Sequence, residues 1–422
     1  MNRFFEKGKA LSAGAVVLVT VLVASLALVG CGGGGKGNVV TMWAMGQEGL
    51  ALSPMIQAFE TENPDLKIEL QVLPWDVAAQ NIMMAVATGD GPDLIGLGSG
   101  WAQNYGSLGA LVDFAPFVDK YPSFATENYL DGAIATAVVN GQLVGIPWYV
   151  ETRVLFYRSD ILAEVGWNRP PETWDELLRC SRDLGARGPG FFGLDIVDPN
   201  NYSGLANILA RNNGSPLIDV DTNTALFDKP EYVETVRFLN RFIVEGHADA
   251  TGMYAGTDPF GDGYIPMMIT GPWSINGINE LAPWLKGKWN VALLPVGPKN
   301  RTSYMGGAHL VVLKSAKNAE GAMRFVDFLV RPENQLKFFG LVNALPSSLA
   351  AWEFESSLKS DPMYAVFGEQ LKDALPPPSV GPGEDITFAI NQAVERVYIG
   401  GEDPAVVLAE ANITAQNLLD NQ

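Results

Sequence analysis

Residues 39–97, VVTMWAMGQEGLALSPMIQAFETENPDLKIELQVLPWDVAAQNIMMAVATGDGPDLIGL, alternate between short apolar runs and segments with helical spacing. The apolar runs predict strands over 39–43, 66–72 and 93–97. Helices are predicted from Pro54 to Asn63, with Ser53 as N-cap, and over 78–87, while 44–49 is predicted as a loop. Strands that alternate with helices build a largely parallel sheet with helices on both faces.

The same alternation starts again near Arg153. The chain of 422 residues is longer than the roughly 250–300 residues that one hydrophobic core supports. We therefore predict an α/β protein with two units of similar size, and the lack of an obvious linker indicates that the chain crosses between them more than once. The predicted elements of this part are strands over 155–157, 191–196, 265–269, 291–294 and 309–313, and helices over 174–187, 202–212, 230–245 and 319–329.

Composition excludes several classes of function. The chain has 28 Lys plus Arg against 47 Asp plus Glu, a net charge of −19, whereas nucleic-acid-binding proteins concentrate basic residues on one face. Two cysteines and two histidines are too few for a Cys/His zinc site or a disulfide framework. Cys180, on a predicted amphipathic helix, is expected to be a buried small hydrophobe.

The N-terminal segment predicts export. Basic residues within 1–9 precede an uncharged run over 10–30, the layout of a secretory signal, although a run of this length could also span a bilayer of about 30 Å. The run ends in Leu-Val-Gly-Cys31, followed by the glycine-rich tether of 32–37, and resembles the bacterial lipobox. The resemblance implies that 1–30 is removed, that Cys31 is lipidated and that 31–37 tethers the protein to a membrane. Without 1–30 the chain has 25 basic and 46 acidic residues, a net charge of about −21.

Motifs for phosphate and acyl-transfer chemistry are not found. The sequence has no GxxxxGK[ST] loop and no GxSxG elbow, and the glycines of 96–100 do not match the dinucleotide fingerprint. Residues 219–223 begin like a calcium loop, but they lack its glycine and have Pro230 at the place of its final Glu, which favours a simple turn. We expect no metal and no cofactor.

Aromatic and acidic residues follow the predicted strands. In open α/β sheets ligands bind beyond the carboxyl ends of strands, and an indole offers a flat apolar face to a pyranose together with an N–H for a hydroxyl. Carboxylates in the same loops can accept strong hydrogen bonds from a polyol. Each of these residues could instead cap the core or lie in solvent. The candidates are Trp43, Trp75, Trp101, Trp148 and Trp273, with Glu48, Glu151 and Asp195.

The segment 140–157, NGQLVGIPWYVETRVLFY, resembles the central part of ABC-transporter extracellular solute-binding proteins, in the carbohydrate-binding family that includes maltose-binding proteins. Further segments resemble the family in the same order, namely 91–95, 268–273, 306–312 and 319–333. The resemblance implies a two-lobed, type II periplasmic-binding-protein fold, each lobe a mainly parallel sheet flanked by helices. It places one lobe at 38–149 plus 305–345 and the other at 150–304 plus 346–422.

The resemblance also implies a site. In maltose-type members a carboxylate at the position of Glu151 binds sugar hydroxyls, and an aromatic ring at the position of Trp273 stacks on the sugar. Gly100 stands where those members have an Asp, and the region of Phe388 lacks their Trp, so maltose specificity does not follow. The other contact positions that the resemblance implies are Ser99, Trp101, Asn200, Tyr202, Gly307 and His309.

The implied protein is a monomeric receptor, not an enzyme, that captures a mono- or oligosaccharide between its lobes and delivers it to the permease of an ABC importer. Its implied partners are the sugar, the permease subunits and, through the anchor, a membrane of the cell envelope. Two alternatives remain. Acidic and aromatic loops also suit a polyamine, and Glu151 with Asp195 could form the carboxylate pair of a glycoside-active enzyme.

Overall fold

The computed structural model describes residues 38–199, 201–254, 257–354 and 357–421. The predicted signal peptide, Cys31, the tether of 31–37 and Asn200 lie outside these residues. The strands are β1 (Val39–Met45), β2 (Lys67–Leu73), β3 (Leu94–Gly98), β4 (Val138–Val139), β5 (Gln142–Leu143), β6 (Ile146–Thr152), β7 (Val154–Tyr157), β8 (Ile218–Asp219), β9 (Thr224–Ala225), β10 (Met267–Thr270), β11 (Asn290–Ala292), β12 (Ser303–Val312), β13 (Leu345–Pro346) and β14 (Ala374–Leu375).

The helices alternate with these strands over much of the chain. They are α1 (Gly46–Leu50), α2 (Ser53–Glu62), α3 (Trp75–Thr88), α4 (Ala102–Ser107), α5 (Asp131–Ala137), α6 (Ser159–Glu164), α7 (Trp174–Gly185), α8 (Gly204–Asn212), α9 (Pro230–Val244), α10 (Trp273–Leu281), α11 (Ala319–Val330), α12 (Pro332–Val342), α13 (Leu349–Glu353), α14 (Ser357–Ser360), α15 (Pro362–Leu371), α16 (Gly383–Tyr398) and α17 (Pro404–Asp420). Among the described residues no helix is both long and apolar enough to cross a membrane.

The larger sheet is mixed rather than mainly parallel. Its order is β13-β6-β12-β3-β1-β2, with β14 also paired to β12. β1 pairs in parallel with β2 and β3, as the alternation of strands and helices predicts. β12 arrives from a distant part of the chain and pairs antiparallel with both β3 and β6. The parallel half therefore follows from local βα units, whereas the antiparallel half depends on a long-range strand.

The smaller sheet is antiparallel, with the order β10-β7-β11. The strand predicted over 191–196 does not form: only Asp195 makes a bridge, to Met268 of β10. Gly193 explains part of this departure, because a Cβ there would lie 2.2 Å from the Cα of Ser181 on α7. The segment is therefore held close to a helix rather than extended in the sheet.

A buried carboxylate ties the larger sheet together. Asp93, just before β3, accepts hydrogen bonds at Oδ2 from the backbone N–H of Thr41 (2.8 Å) and from its hydroxyl (2.9 Å). Its Oδ1 accepts from the backbone N–H groups of Lys317 (2.7 Å) and Asn318 (2.8 Å), next to the start of α11. Four donors compensate the burial of this charge, and they fix β1, β3 and α11 against one another.

Two hydrophobic clusters account for most of the interior. One lies around the larger sheet and includes Val40, Phe114, Trp148 and Phe325. The other is mainly helical and packs α7, α8 and α9 against α16 and α17, so that residues 380–419 share a core with residues 155–267. Cys180 is fully buried in this second core, as predicted, and burial raises the pKa of its thiol to about 12.

Candidate ligand-binding site

A cavity of about 700 Å³ lies where the ends of the larger sheet face the second core. Its volume is within the range of small-molecule sites, roughly 300–1,000 Å³. Gly100, Arg153 and Tyr304 contribute from the side of the larger sheet. The other walls come mainly from Asp195, Ile196, Val197, Asp198 and Asn201, from Gly204, Leu205, Asn207, Ile208 and Arg211 of α8, from Met268, Ile269 and Thr270 of β10, from Trp273 of α10, and from Gly383, Glu384, Ile386, Thr387 and Ile390 of α16.

Trp273 presents an indole ring at the rim of this cavity. It is the first residue of α10, and 40% of the residue is exposed. The ring folds back over Gly271, where a Cβ would lie only 2.0 Å from the ring atom Cζ3. The guanidinium of Arg153 lies 4.5 Å from the ring centroid. Gly271 and Arg153 therefore fix the orientation of an aromatic surface that remains accessible.

Glu151 lies beside this ring on β6. Its Oε1 accepts a hydrogen bond from Nη2 of Arg153 at 3.2 Å. Gly306 of β12 is its cross-strand partner, and a Cβ at that position would lie 2.8 Å from the same oxygen and 2.4 Å from the ring of Tyr304. The glycine thus makes room for both side chains. Glu151 and Trp273 also line a smaller pocket next to the main cavity.

Glu48 lines this smaller pocket, and its carboxyl is hydrogen-bonded to the side chain of Trp75. Glu48 lies on the short helix α1, in a segment predicted as a loop. Burial raises the pKa of its carboxyl, and the negative charge of Glu151 adds to the rise, while hydrogen bonds from the backbone and from Trp75 oppose it. Two carboxyl groups within electrostatic reach of each other, with Trp273 beside them in the same pocket, form the acidic side of the site.

Trp101 bridges the cavity rim. It lies in the 3₁₀ turn Ser99–Trp101 after β3, and its indole N–H donates to Oε1 of Glu384, in the first turn of α16, at 2.8 Å. Its ring centroid lies 5.7 Å from that of Trp75. Ser99 itself is buried. Residues 283 positions apart thus meet across the opening.

Two predicted contact residues belong to the core instead. Trp148 is 2% exposed and stacks on Phe338 with ring centroids 4.6 Å apart. His309 is 1% exposed, its Nε2 lies 2.8 Å from the hydroxyl of Thr136, and burial lowers its pKa to about 3. Both lie on strands whose inward-facing residues pack against helices, and neither lines the cavity, so ligand contact by these two stays a prediction.

Three further predicted contact residues lie away from the cavity lining. Gly307 has φ +132°, and a Cβ there would lie 2.1 Å from the carbonyl oxygen of Tyr149, which gives the glycine a packing reason on β12. Trp43 lies within β1, half-buried against the core, and Tyr202 packs against the helical core. These three positions do not line the cavity.

Several cavity residues were missed by sequence reasoning. Arg153 stands two residues after Glu151, so strand alternation would have placed both on one face. Asp195 was considered, and burial raises its pKa to about 6, with the charges of Asp198 and Asp249 adding to the rise. Tyr304 and Arg211 carry no local signal, since their neighbours in the cavity come from distant segments.

Among the described residues no group of three His, Cys, Asp or Glu side chains could hold a metal ion.

Comparison with known proteins assigns the chain to a family. The family model described as bacterial extracellular solute-binding protein matches residues 44–336. The chain belongs to the bacterial extracellular solute-binding proteins. A putative binding protein of Brucella abortus is 26% identical to it over 370 residues, covering 86% of this chain and 88% of that protein. The galactooligosaccharide-binding protein of Bacillus subtilis is 22% identical over 418 residues, covering 95% and 96%.

A solved structure gives this solute-binding protein its fold class. The sugar-binding protein MalE of Xanthomonas citri superposes with a TM-score of 0.80 at 27% identity, covering 91% of this chain and 98% of that one. The predicted two-lobed, type II fold is thereby confirmed, with mixed and antiparallel sheets in place of mainly parallel ones.

Proposed function

We propose that this solute-binding protein is the sugar receptor of an ABC importer and that it holds a mono- or oligosaccharide in the 700 Å³ cavity. The observation that carries the proposal is the accessible face of Trp273 beside the Glu151–Arg153 pair. An indole face covers the C–H face of a pyranose, a carboxylate accepts hydrogen bonds from its hydroxyls, and a neighbouring guanidinium donates hydrogen bonds to them. The relatives that bind sugars support the same assignment.

We propose that the lobes are 38–149 plus 305–345 and 150–304 plus 346–422. The two hydrophobic clusters support this division, since each is formed largely by one of the two sets. Ligand that contacts both lobes favours the closed state because the full set of contacts forms only when the cleft is shut. The Trp101–Glu384 hydrogen bond joins the two proposed lobes directly, without a ligand.

The export and delivery steps complete the proposal. The sequence of 1–37 supports removal of 1–30, lipidation of Cys31 and a flexible tether, so that the receptor would remain at a membrane of the cell envelope. We propose that the loaded monomer docks on the permease subunits of its importer and releases the sugar there.

Binding without catalysis is part of the proposal. The carboxylate of Glu151 is engaged by Arg153, which favours its role as a hydrogen-bond acceptor over that of a nucleophile or base. Asp195, with its raised pKa, is the group that could act as an acid. Incubation with labelled oligosaccharides and chromatography of the products checks this point: release of shorter sugars would identify an enzyme.

Isothermal titration calorimetry with mono- and disaccharides tests the site. Trp273→Ala and Glu151→Ala are each expected to weaken sugar binding more than tenfold while the far-UV circular dichroism spectrum stays unchanged, because a stacking face or a charged acceptor is lost. Trp284→Ala is the matched control, since this tryptophan is 58% exposed and does not line the cavity.

The outcomes separate the alternatives. Unchanged isotherms for both site variants would show that the ligand binds elsewhere. Binding of spermidine with no binding of any sugar would replace the sugar assignment with the polyamine alternative. Equal weakening in Trp284→Ala would indicate a general loss of structure rather than loss of a contact.

A further inference from the structure

One cavity residue has more hydrogen-bond donors than the protein satisfies. Arg211, near the end of α8, is 8% exposed and lines the cavity. Its Nη1 donates to the carbonyl oxygens of Leu375 (3.0 Å) and Pro376 (2.7 Å). Among the described residues, its Nε and Nη2 have no hydrogen-bond partner and no carboxylate lies within ion-pair distance. Neither atom is completely enclosed, and the residue to which they belong lines the cavity.

Arg158 shows how the same chain completes a buried guanidinium. This arginine is 7% exposed, and its Nη1 also donates to two backbone carbonyls, of Phe260 (3.0 Å) and Gly261 (2.9 Å). Its Nε and Nη2 then donate to the two carboxylate oxygens of Asp160, at 2.9 and 2.8 Å. Arg211 has the two hydrogen bonds to carbonyl oxygens but not the two hydrogen bonds to a carboxylate. Hydrogen bonds from Nη1 alone connect α8 to the segment of β14, so the unpaired Nε and Nη2 donors are not needed for that connection.

A second guanidinium borders the same cavity. Arg153 donates from Nη2 to Glu151, while its Nη1 has no partner among the described residues. Its guanidinium carbon lies 5.2 Å from the ring centroid of Tyr304. Burial raises the pKa of Tyr304, and the positive charges of both Arg153 and Arg211 oppose that rise. The two cations are thus both within electrostatic reach of one phenol on the cavity wall.

Among the described residues, no carboxylate forms an ion pair with Arg211. Asp195, Asp198 and Glu384 line the same cavity, and Glu384 accepts from the indole of Trp101. Glu151, in the adjacent smaller pocket, is paired with Arg153. The charge on Arg211 is costly in this setting, and burial lowers its pKa to about 10. A buried cation without an anionic partner is stabilised when a ligand supplies the anion, and a guanidinium binds carboxylate or phosphate through two parallel hydrogen bonds.

We propose that the ligand is a saccharide bearing an anionic group, a carboxylate or a phosphate, and that the vacant Nε and Nη2 of Arg211 bind this group. This inference rests on the proposed sugar-binding function and narrows its ligand class. In this arrangement Trp273 and Glu151 bind the sugar ring, and Arg211 binds the acidic substituent, with the guanidinium of Arg153 nearby.

Matched pairs of neutral and acidic sugars test the inference. Calorimetric titrations compare galactose with galacturonate, maltose with maltobionate, and glucose with glucose 6-phosphate, so that the carboxylate and phosphate arms are separate. At least one acidic sugar is expected to bind the unmodified protein about tenfold or more tightly than its neutral counterpart, given the strength of hydrogen bonds between charged groups. The preference is expected to weaken as salt concentration rises.

Two arginine variants locate the effect. Arg211→Gln is expected to remove the preference, so that the acidic and the neutral sugar of a pair bind this variant within about threefold of each other. Arg158→Gln is the matched control, since it removes a similarly buried guanidinium that contacts the protein alone, and it should keep the preference. Thermal unfolding of both variants accounts for any loss of structure, and the comparison of sugars on the unmodified protein needs neither variant.

Each outcome decides the question. A neutral sugar that binds as tightly as its acidic partner overturns the inference and leaves the sugar-receptor function intact. A preference that survives in Arg211→Gln overturns the role of this residue. If no sugar of either charge binds, the proposed function fails, and the inference fails with it.

Discussion

Replacement of Trp148 distinguishes a core indole from a ligand contact. The side chain is 2% exposed and stacks on Phe338, so its removal exposes or vacates about 200 Å² of apolar surface, worth about 5 kcal/mol at ~25 cal/mol per Å². Its indole N–H has no partner among the described residues, and relief of that buried donor returns ~1–2 kcal/mol. Trp148→Ala is therefore expected to lower the free energy of unfolding by about 3–4 kcal/mol, in line with other buried aromatic truncations.

Trp148→Phe is the matched variant. It keeps most of the stacking area and removes the unpartnered N–H, so we expect the free energy of unfolding to change by no more than about 1 kcal/mol. Urea titrations followed by far-UV circular dichroism give the midpoints and slopes for both variants. Trp273→Ala, which loses an exposed ring and one cation–π contact of about 0.5–1 kcal/mol, should cost far less stability.

Calorimetry on the same variants gives the refuting result. If Trp148→Ala unfolds at the same urea concentration as the unmodified protein but no longer binds sugar, the indole contacts the ligand and the assignment to the core is wrong. If Trp148→Phe is as unstable as Trp148→Ala, the loss does not arise from buried area, and the estimate above fails.

Three other predictions concern titration and backbone geometry. Burial lowers the pKa of His309 to about 3, so between pH 6.5 and 3 the unfolded chain binds a proton at this residue and the native state does not. Stability therefore falls as the pH falls, by about 2 kcal/mol near pH 5. The urea midpoint of His309→Gln should fall less between pH 7 and pH 5 than that of the unmodified protein. Asp195 has the opposite dependence: its raised pKa, about 6, makes stability fall as the pH rises from about 4 to 6. Asp195→Asn should therefore raise the free energy of unfolding, and with it the melting temperature, at pH 7 but not at pH 4. The gain in free energy is at most about 1 kcal/mol because the side chain faces an open, water-accessible cavity. Gly307→Ala should lower the free energy of unfolding by more than about 2 kcal/mol, since the added Cβ meets the carbonyl of Tyr149 at a positive φ. Gly340 is the control, a helical glycine with nothing within 4 Å of an added Cβ. Gly340→Ala should be neutral or stabilising in the same urea titration.

Local patterns in the sequence predict the elements that local forces determine. β1, β2, β3 and the helices α2, α7 and α9 form within a few residues of the predicted ranges, because their hydrophobic periodicity and their end signals agree. The antiparallel pairing of β12 with β3 and β6 has no such signal, since its register depends on strands about 150 to 220 residues away. Apolar alternation around 309–313 predicts a strand but not its neighbours.

The same distinction applies to the site. Glu151 and Trp273 were predicted from the residues and the resemblance, and the structure brings them to one small pocket. Trp148 could not be told from Trp273 by sequence, because both follow apolar residues and only packing against Phe338 separates them. Arg211 was missed since its contacts lie 164 and 165 residues further along the chain. Long-range contacts, rather than local composition, decide which polar residues meet in the cavity.

The position of β12 has a consequence for how the chain matures. β12 is an inner strand of the larger sheet, yet residues 154–302 precede it and contain the whole smaller sheet. A chain synthesised from its N-terminus therefore exposes the open edges of β3 and β6 until residue 312 has emerged, while the smaller sheet can already pair. Completion of the larger sheet is thus a late step that waits for residue 312, although β1, β2 and β3 lie near the start of the chain.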